Sequence, residues 1–211
     1  MNKSDVLARI KNEKVIALIR ADGPDSLIDC ARALAAGGLT VIELTMSTPG
    51  ALDVLAKAAK ELPHVTFGMG TVVNAETVAQ AQAAGAKFIV TPCVRPAVIA
   101  ACKERGLAIL GGALTPTEAY NTYELGADIV KVFPAEFFGP AFIKSLKAPF
   151  PFLNVMPTGG VTPETVADFL KAGAYATAAG SALVQPAALK AKDWAAITKR
   201  AQEFVTAANK A

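Results

Sequence analysis

The chain has 211 residues, 53% of them hydrophobic, which is ample apolar material for one well-buried core. Its 21 basic and 18 acidic residues leave a net charge of +3 with no basic run or aromatic-interleaved patch, which argues against a nucleic-acid groove. Three cysteines, Cys30, Cys93 and Cys102, lack metal-site spacing and read as reduced thiols.

The first segment, MNKSDVLARIKNEK, is charged and lacks the apolar centre of a signal peptide; it reads as an N-terminal helix. The uncharged stretch 172–189 is interrupted by Gly, Ser, Gln and Pro, so no membrane span is expected. The expectation is a cytoplasmic protein that binds neither nucleic acid nor membrane.

From residue 15 onward, short β-rich runs alternate with Ala-rich helical stretches. Strands are predicted at VIALI (15–19), TVIELT (40–45), TFGMG (66–70), FIVT (88–91), AILGG (108–112), IVKVF (129–133), NVMP (154–157) and ATAAG (176–180). Helices fill the gaps, among them PDSLIDCARALAA, PGALDVLAKAAKEL, PAVIAACKER and PETVADFLKA. Proline or a small polar residue opens them and glycine follows them, as at Gly37-Gly38, Gly85, Gly106, Gly126 and Gly173.

Eight such units without a composition break point to one α/β domain over residues 1–211. The count favours a closed (β/α)8 TIM barrel over an open doubly wound sheet, and no GxGxxG follows the first strand. The last two strands are weak by propensity.

Active sites of such barrels lie where strands feed their helices. The residues there are Arg20, Glu43 with Thr45, Gly70 with Thr71, Thr91 with Pro92, Thr115, Lys131 with Phe133, Thr158-Gly159-Gly160 and Gly180-Ser181, with Glu136 just beyond. Alternation puts Glu43 on one face with Val41 and Thr45, and Lys131 with Ile129 and Phe133. If both faces turn inward, a lysine and a glutamate share the barrel interior. Desolvation lowers the lysine pKa and raises the glutamate pKa, while their attraction opposes both shifts. A neutral lysine amine attacks carbonyls, and a nearby carboxyl moves the protons that Schiff-base chemistry needs. A purely structural Lys–Glu pair is the alternative; such pairs return little stability. The glycines of PTGGV and AAGSALV, at strands seven and eight, suit an anion site built from backbone N–H groups.

Together KVFPAE, PTGGV, GMGTVVN, VIELT, AGAKFIVTP and LTPTEA resemble the 2-keto-3-deoxy-6-phosphogluconate / 4-hydroxy-2-oxoglutarate aldolases, in order from about Val6 to Val184. The resemblance implies a class I, metal- and cofactor-independent aldolase on a (β/α)8 barrel, usually a homotrimer, in the Entner–Doudoroff branch of carbohydrate metabolism. Its small-molecule substrate is a 2-keto-4-hydroxy acid, cleaved to pyruvate and an aldehyde. Lys131 is then the Schiff-base lysine and Glu43 the general acid/base. Thr71 and Arg20 bind substrate, Phe133 and Thr158 line the pocket, and Gly159, Gly160, Gly180 and Ser181 hold a phosphate. The pattern departs at Ser47, where many members carry an arginine near the substrate carboxylate, and at Cys93 and Gly111-Gly112-Ala113, which alter the pocket wall.

Other residues read as structural. His64 lies on the wrong rim, Cys93 is expected as a small buried thiol that packs, and Glu136 fixes the loop after Lys131 or has another role. Trp194 and Phe204 are expected to pack against the barrel or a neighbour. The competing functions are another phosphate-binding isomerase or decarboxylase, and a non-catalytic oligomeric scaffold, natural or engineered, on an aldolase barrel. Asp128 and Lys131, three apart on opposite faces, argue against the decarboxylase.

Overall fold

The computed structural model describes residues 1–211. Helix α1 (Lys3–Glu13) comes first, opened by a capping box in which the Asn2 side chain accepts from the Asp5 N–H and the Asp5 carboxylate accepts from the Asn2 N–H. Eight strands then alternate with helices: β1 (Val15–Ile19), α2 (Leu27–Ala36), β2 (Val41–Thr45), α3 (Ala51–Glu61), β3 (Thr66–Gly70), α4 (Ala75–Ala83), β4 (Phe88–Val90) and α5 (Pro96–Glu104). The second half runs β5 (Ala108–Ala113), α6 (Pro116–Glu124), β6 (Ile129–Val132), α7 (Gly139–Lys147), β7 (Val155–Pro157), α8 (Val166–Lys171) and β8 (Thr177–Ala179). Two further helices, α9 (Pro186–Ala191) and α10 (Trp194–Ala208), end the chain.

Every strand pair is parallel, in the order β7-β6-β5-β4-β3-β2-β1-β8. The ends of that order meet. Thr158 bridges Ala178 in parallel, and the Tyr175 N–H donates to the Val155 carbonyl at 2.8 Å. The sheet is thus a closed (β/α)8 barrel with an N-terminal helix, and closure removes the exposed sheet edges.

Alternation along the strands separates two cores. Ile42, Leu44, Phe67, Met69, Val130 and Val132 face the surrounding helices, whereas Ile16, Val41, Phe88, Val90, Ile129 and Met156 fill the barrel, with Val6 and Ile10 of α1 packed among them. Phe88 needs the glycine opposite it: a Cβ on Gly68 would lie 2.2 Å from its ring. Burying such a phenyl side chain contributes roughly 1.5–3 kcal/mol. The same demand for small residues explains the weak β8, where Ala176 and Ala178 face inward. There the barrel wall sets the residue size and overrides β-propensity.

Several boundaries depart from expectation. Helix α8 becomes regular only at Val166, because the Thr165 hydroxyl donates to the Gly160 carbonyl and accepts from the Thr162 N–H, holding residues 162–165 in a turn. Helix α2 starts at Leu27 rather than Pro24, after a turn over residues 22–26. Residues 135–137 form a short 3-10 turn. Phe204 is fully buried and Trp194 partly buried within the chain itself. No helix is long and apolar enough to cross a membrane.

Candidate active site

Strands β2 and β6 lie four places apart in a ring of eight, so they face each other across the barrel. Both inward-facing ionisable side chains come from them. Lys131 is 5% exposed and Glu43 0%, and each stands beside a strand that gives it room. Lys131 is in register with Gly112 of β5, and Glu43 with Gly68 of β3. Two residues further up, a Cβ on Gly70 would fall 1.7 Å from Glu43 Oε1.

Neither carboxyl oxygen of Glu43 has a hydrogen-bond partner in the protein, and the same holds for the buried Thr158 hydroxyl at the end of β7. Buried polar groups without partners are rare, and each calls for an explanation. Burial pushes the Glu43 pKa above the ordinary carboxylate value, while the charges of Lys131 and then Arg20 pull it back. The carboxyl is therefore poised to exchange a proton.

Above this pair opens a cleft of about 730 Å³, within the roughly 300–1,000 Å³ of small-molecule sites. Arg20, Phe133, Thr158, Gly159, Gly160, Gly180 and Ser181 line it. Lys131, Glu43 and Thr71 do not. Phe133 links the two levels: it is 39% exposed in the cleft, and its ring centroid lies 5.3 Å from Lys131 Nζ.

The backbone N–H groups of Gly159, Gly160, Gly180 and Ser181 donate to no group of the protein. Gly159 and Gly160 have φ of +95° and +69°, a left-handed pair that glycine adopts without strain. Clustered free N–H groups in such turns form an anion-binding concavity. Thr71 follows β3 with φ of +59°, an outlier for a β-branched residue.

Other expectations need adjusting. Cys93 does not pack as a buried thiol; it is exposed. Its backbone, not its side chain, makes the close contact: its N lies 2.4 Å from where a Cβ on Gly112 would stand, and its carbonyl accepts from the Thr91 hydroxyl at 2.8 Å. Ser47 is exposed, with its hydroxyl 3.0 Å from that of Thr45. Thr115 is occupied as the N-cap of α6, accepting from the Glu118 N–H. Exposed His64 sits in the turn before β3, away from the site. Asp128 is engaged elsewhere, paired with Lys3 at 2.8 Å and accepting from the Ile109 N–H at 2.9 Å.

Gly70 and Glu136 lie at the predicted rim without an assigned role. Both are site residues by position, since Gly70 admits the Glu43 carboxyl and Glu136 lines the cleft. The glycine after Met69 was visible in the sequence; that Glu43 lies against it follows only from the β2–β3 register, Thr45 to Gly70.

A closed barrel with an inward lysine, a buried carboxyl across from it and a rim of free N–H donors defines an enzyme site for an anionic carbonyl compound. Residues 6–200 match the profile of the family described as "Aldolase: KDPG and KHG aldolase". A 2-dehydro-3-deoxy-phosphogluconate aldolase of Pseudomonas aeruginosa is 33% identical over 94% of this chain and 90% of that protein. A solved KDPG aldolase from Legionella pneumophila, with pyruvate captured at low pH as a covalent carbinolamine intermediate, superposes with a TM-score of 0.87 at 26% identity. That match covers 94% of this chain and 97% of the other. A cube-shaped protein cage designed by fusing symmetric oligomeric domains matches with a TM-score of 0.85 at 30% identity, over 93% of this chain and 72% of the other. The chain belongs to the KDPG and KHG aldolase family. It is an aldehyde-lyase of the class I, pyruvate-dependent kind.

Proposed function

We propose that Lys131 is the Schiff-base nucleophile and Glu43 the general acid/base in cleavage of a 2-keto-3-deoxy-6-phospho sugar acid or 4-hydroxy-2-oxoglutarate to pyruvate and an aldehyde. The observation that carries this reading is the unpartnered, fully buried Glu43 carboxyl across the barrel from the inward-facing Lys131.

The Lys131 amine adds to the C2 carbonyl, giving a carbinolamine that loses water to form an iminium. Glu43, through a water, accepts the proton of the C4 hydroxyl. The C3–C4 bond then breaks, its electron pair passes into the iminium to form an enamine, and the aldehyde leaves. Glu43 returns the proton to C3 of the enamine, and hydrolysis of the iminium releases pyruvate and free Lys131. Thr71 binds the substrate carboxylate, Arg20 also binds substrate, Phe133 and Thr158 shape the pocket wall, and the N–H groups of Gly159, Gly160, Gly180 and Ser181 take the phosphate.

We read residues 1–211 as a single aldolase domain, cytoplasmic and assembled as a homotrimer. Exposed Phe137, Phe138, Tyr123 and Phe152 supply apolar surface for subunit contact. Sedimentation at several concentrations checks the assembly. The competing decarboxylase reading is disfavoured because Asp128 is held by Lys3 rather than presented beside Lys131.

The test is pyruvate release from both substrates by the wild type and by Lys131→Ala. Loss of turnover in a variant with an unchanged circular-dichroism spectrum supports the assignment. Undiminished turnover refutes it.

A further inference from the structure

Glu136 stands beside the glycine turn where an anion would bind. It follows Ala135 in the 3-10 turn after β6, and the Ala135 N–H donates to the Thr158 carbonyl at 2.9 Å, drawing this turn onto the loop after β7. A Cβ built on Gly159 would lie 1.8 Å from Glu136 Oε2, and one on Gly160 2.9 Å from Glu136 Cα and Cβ. The carboxylate therefore rests against Gly159, and the Glu136 backbone against Gly160; the N–H groups of these two left-handed glycines are free and do not donate to the carboxylate. The five ion pairs of the molecule all lie elsewhere, so no protein cation is paired with it. The cleft carries two cationic side chains, Arg20 and Lys190, and three acidic ones, Asp22, Asp25 and Glu136. Of the three, Glu136 is the one set against the glycine turn.

We propose that Glu136 is a specificity-determining residue, an internal anion beside the Gly159–Gly160 turn that opposes the substrate's phosphate there and so restrains the preference for phosphorylated substrates. The inference rests on reading the two glycine loops as the phosphate site. A phosphate entering the turn must displace the carboxylate or bind beside it, and like charges at such separations repel. A substrate ending in an unphosphorylated group at that place meets no such opposition. Loss of the charge thus favours phosphorylated substrates. Because the residue is exposed, the effect fades as salt screens it.

The experiment uses inorganic phosphate as a competitive inhibitor of pyruvate formation from 4-hydroxy-2-oxoglutarate. It is run on the wild type, Glu136→Gln and Glu136→Asp, whose shorter side chain draws the carboxylate back from the turn. The expected result is an inhibition constant for phosphate about three- to tenfold lower in Glu136→Gln, the size of one weakly screened charge interaction. Glu136→Asp should shift in the same direction, and the difference from wild type should shrink in about 1 M salt. The ratio of kcat/KM for the phosphorylated over the unphosphorylated substrate rises in parallel. Phosphate inhibition of the wild type that neither variant alters, or that Glu136→Gln weakens, overturns the proposal and leaves the phosphate site standing. A wild type that phosphate does not inhibit and that turns over both substrates alike refutes the phosphate-site reading, and the inference with it.

Discussion

A methyl group on Gly70 would stand 1.7 Å from Oε1 of Glu43, so the carboxyl keeps its place in the barrel because β3 ends in glycine. The two residues come from neighbouring strands. Register pairs Gly70 with Thr45, two residues beyond Glu43 on the same inward face, so any side chain at 70 is aimed into the space that Glu43 fills. The glycine is a positioning residue for a charge it never touches through a side chain.

Gly70→Ala is therefore expected to push the Glu43 carboxyl off its position while the barrel still folds. Displacement of a reacting group by about 1 Å costs on the order of 100-fold in rate. The measurement is kcat together with its pH profile. A lowered kcat with a shifted limb for the Glu43 proton supports the account, and wild-type kinetics count against it.

Glu43 itself should trade stability for chemistry. Its folded-state pKa is raised above the ordinary value of 4.5, chiefly by burial. The folded protein therefore holds this proton to higher pH than the unfolded chain does, and Glu43 makes stability fall as pH rises from 4.5 through the folded value. Glu43→Gln removes that dependence. Thermal unfolding should show the variant more stable than wild type near pH 8 and the gap closing as pH falls towards 4.5, with roughly 2–4 °C per kcal/mol for a chain of this size. Its turnover should fall by about 100-fold or more, the usual worth of a general acid/base. A variant less stable than wild type across the whole range would mean that the carboxyl supports the fold.

Thr71 is strained, with φ of +59° on a β-branched residue. Thr71→Gly should relieve that strain and raise stability by about 1 kcal/mol, partly offset by the greater freedom of glycine in the unfolded chain. If the hydroxyl binds the substrate carboxylate, KM rises at the same time, by about tenfold for one lost hydrogen bond to a charged group. Denaturant unfolding and steady-state kinetics on the same preparation check both halves. A loss of stability with unchanged KM contradicts both.

Much of this was legible in the sequence, because the relevant signals are local. Period-two alternation put Glu43 and Lys131 on inward faces, and Pro and Gly punctuation located the eight units. The glycines of PTGGV and GSALV marked the two loops whose N–H groups are free in the fold. What stayed hidden depends on residues far apart in the chain. That Glu43 and Lys131 face each other requires closure between β7 and β8, which the alanine-rich β8 does not advertise. The exposure of Cys93 follows from its backbone lying against Gly112, a contact no periodicity encodes. The position of Glu136 against Gly159 likewise depends on how two loops pack.

The central claim is that Lys131 attacks the carbonyl of pyruvate-type substrates. It is tested most directly by incubating the folded protein with pyruvate, reducing with borohydride, and mapping the modified peptide by mass spectrometry. The account predicts one reduced pyruvate per chain, carried on Lys131 and absent from Lys131→Ala. A folded protein that gains no adduct, or gains it on another lysine, would contradict it.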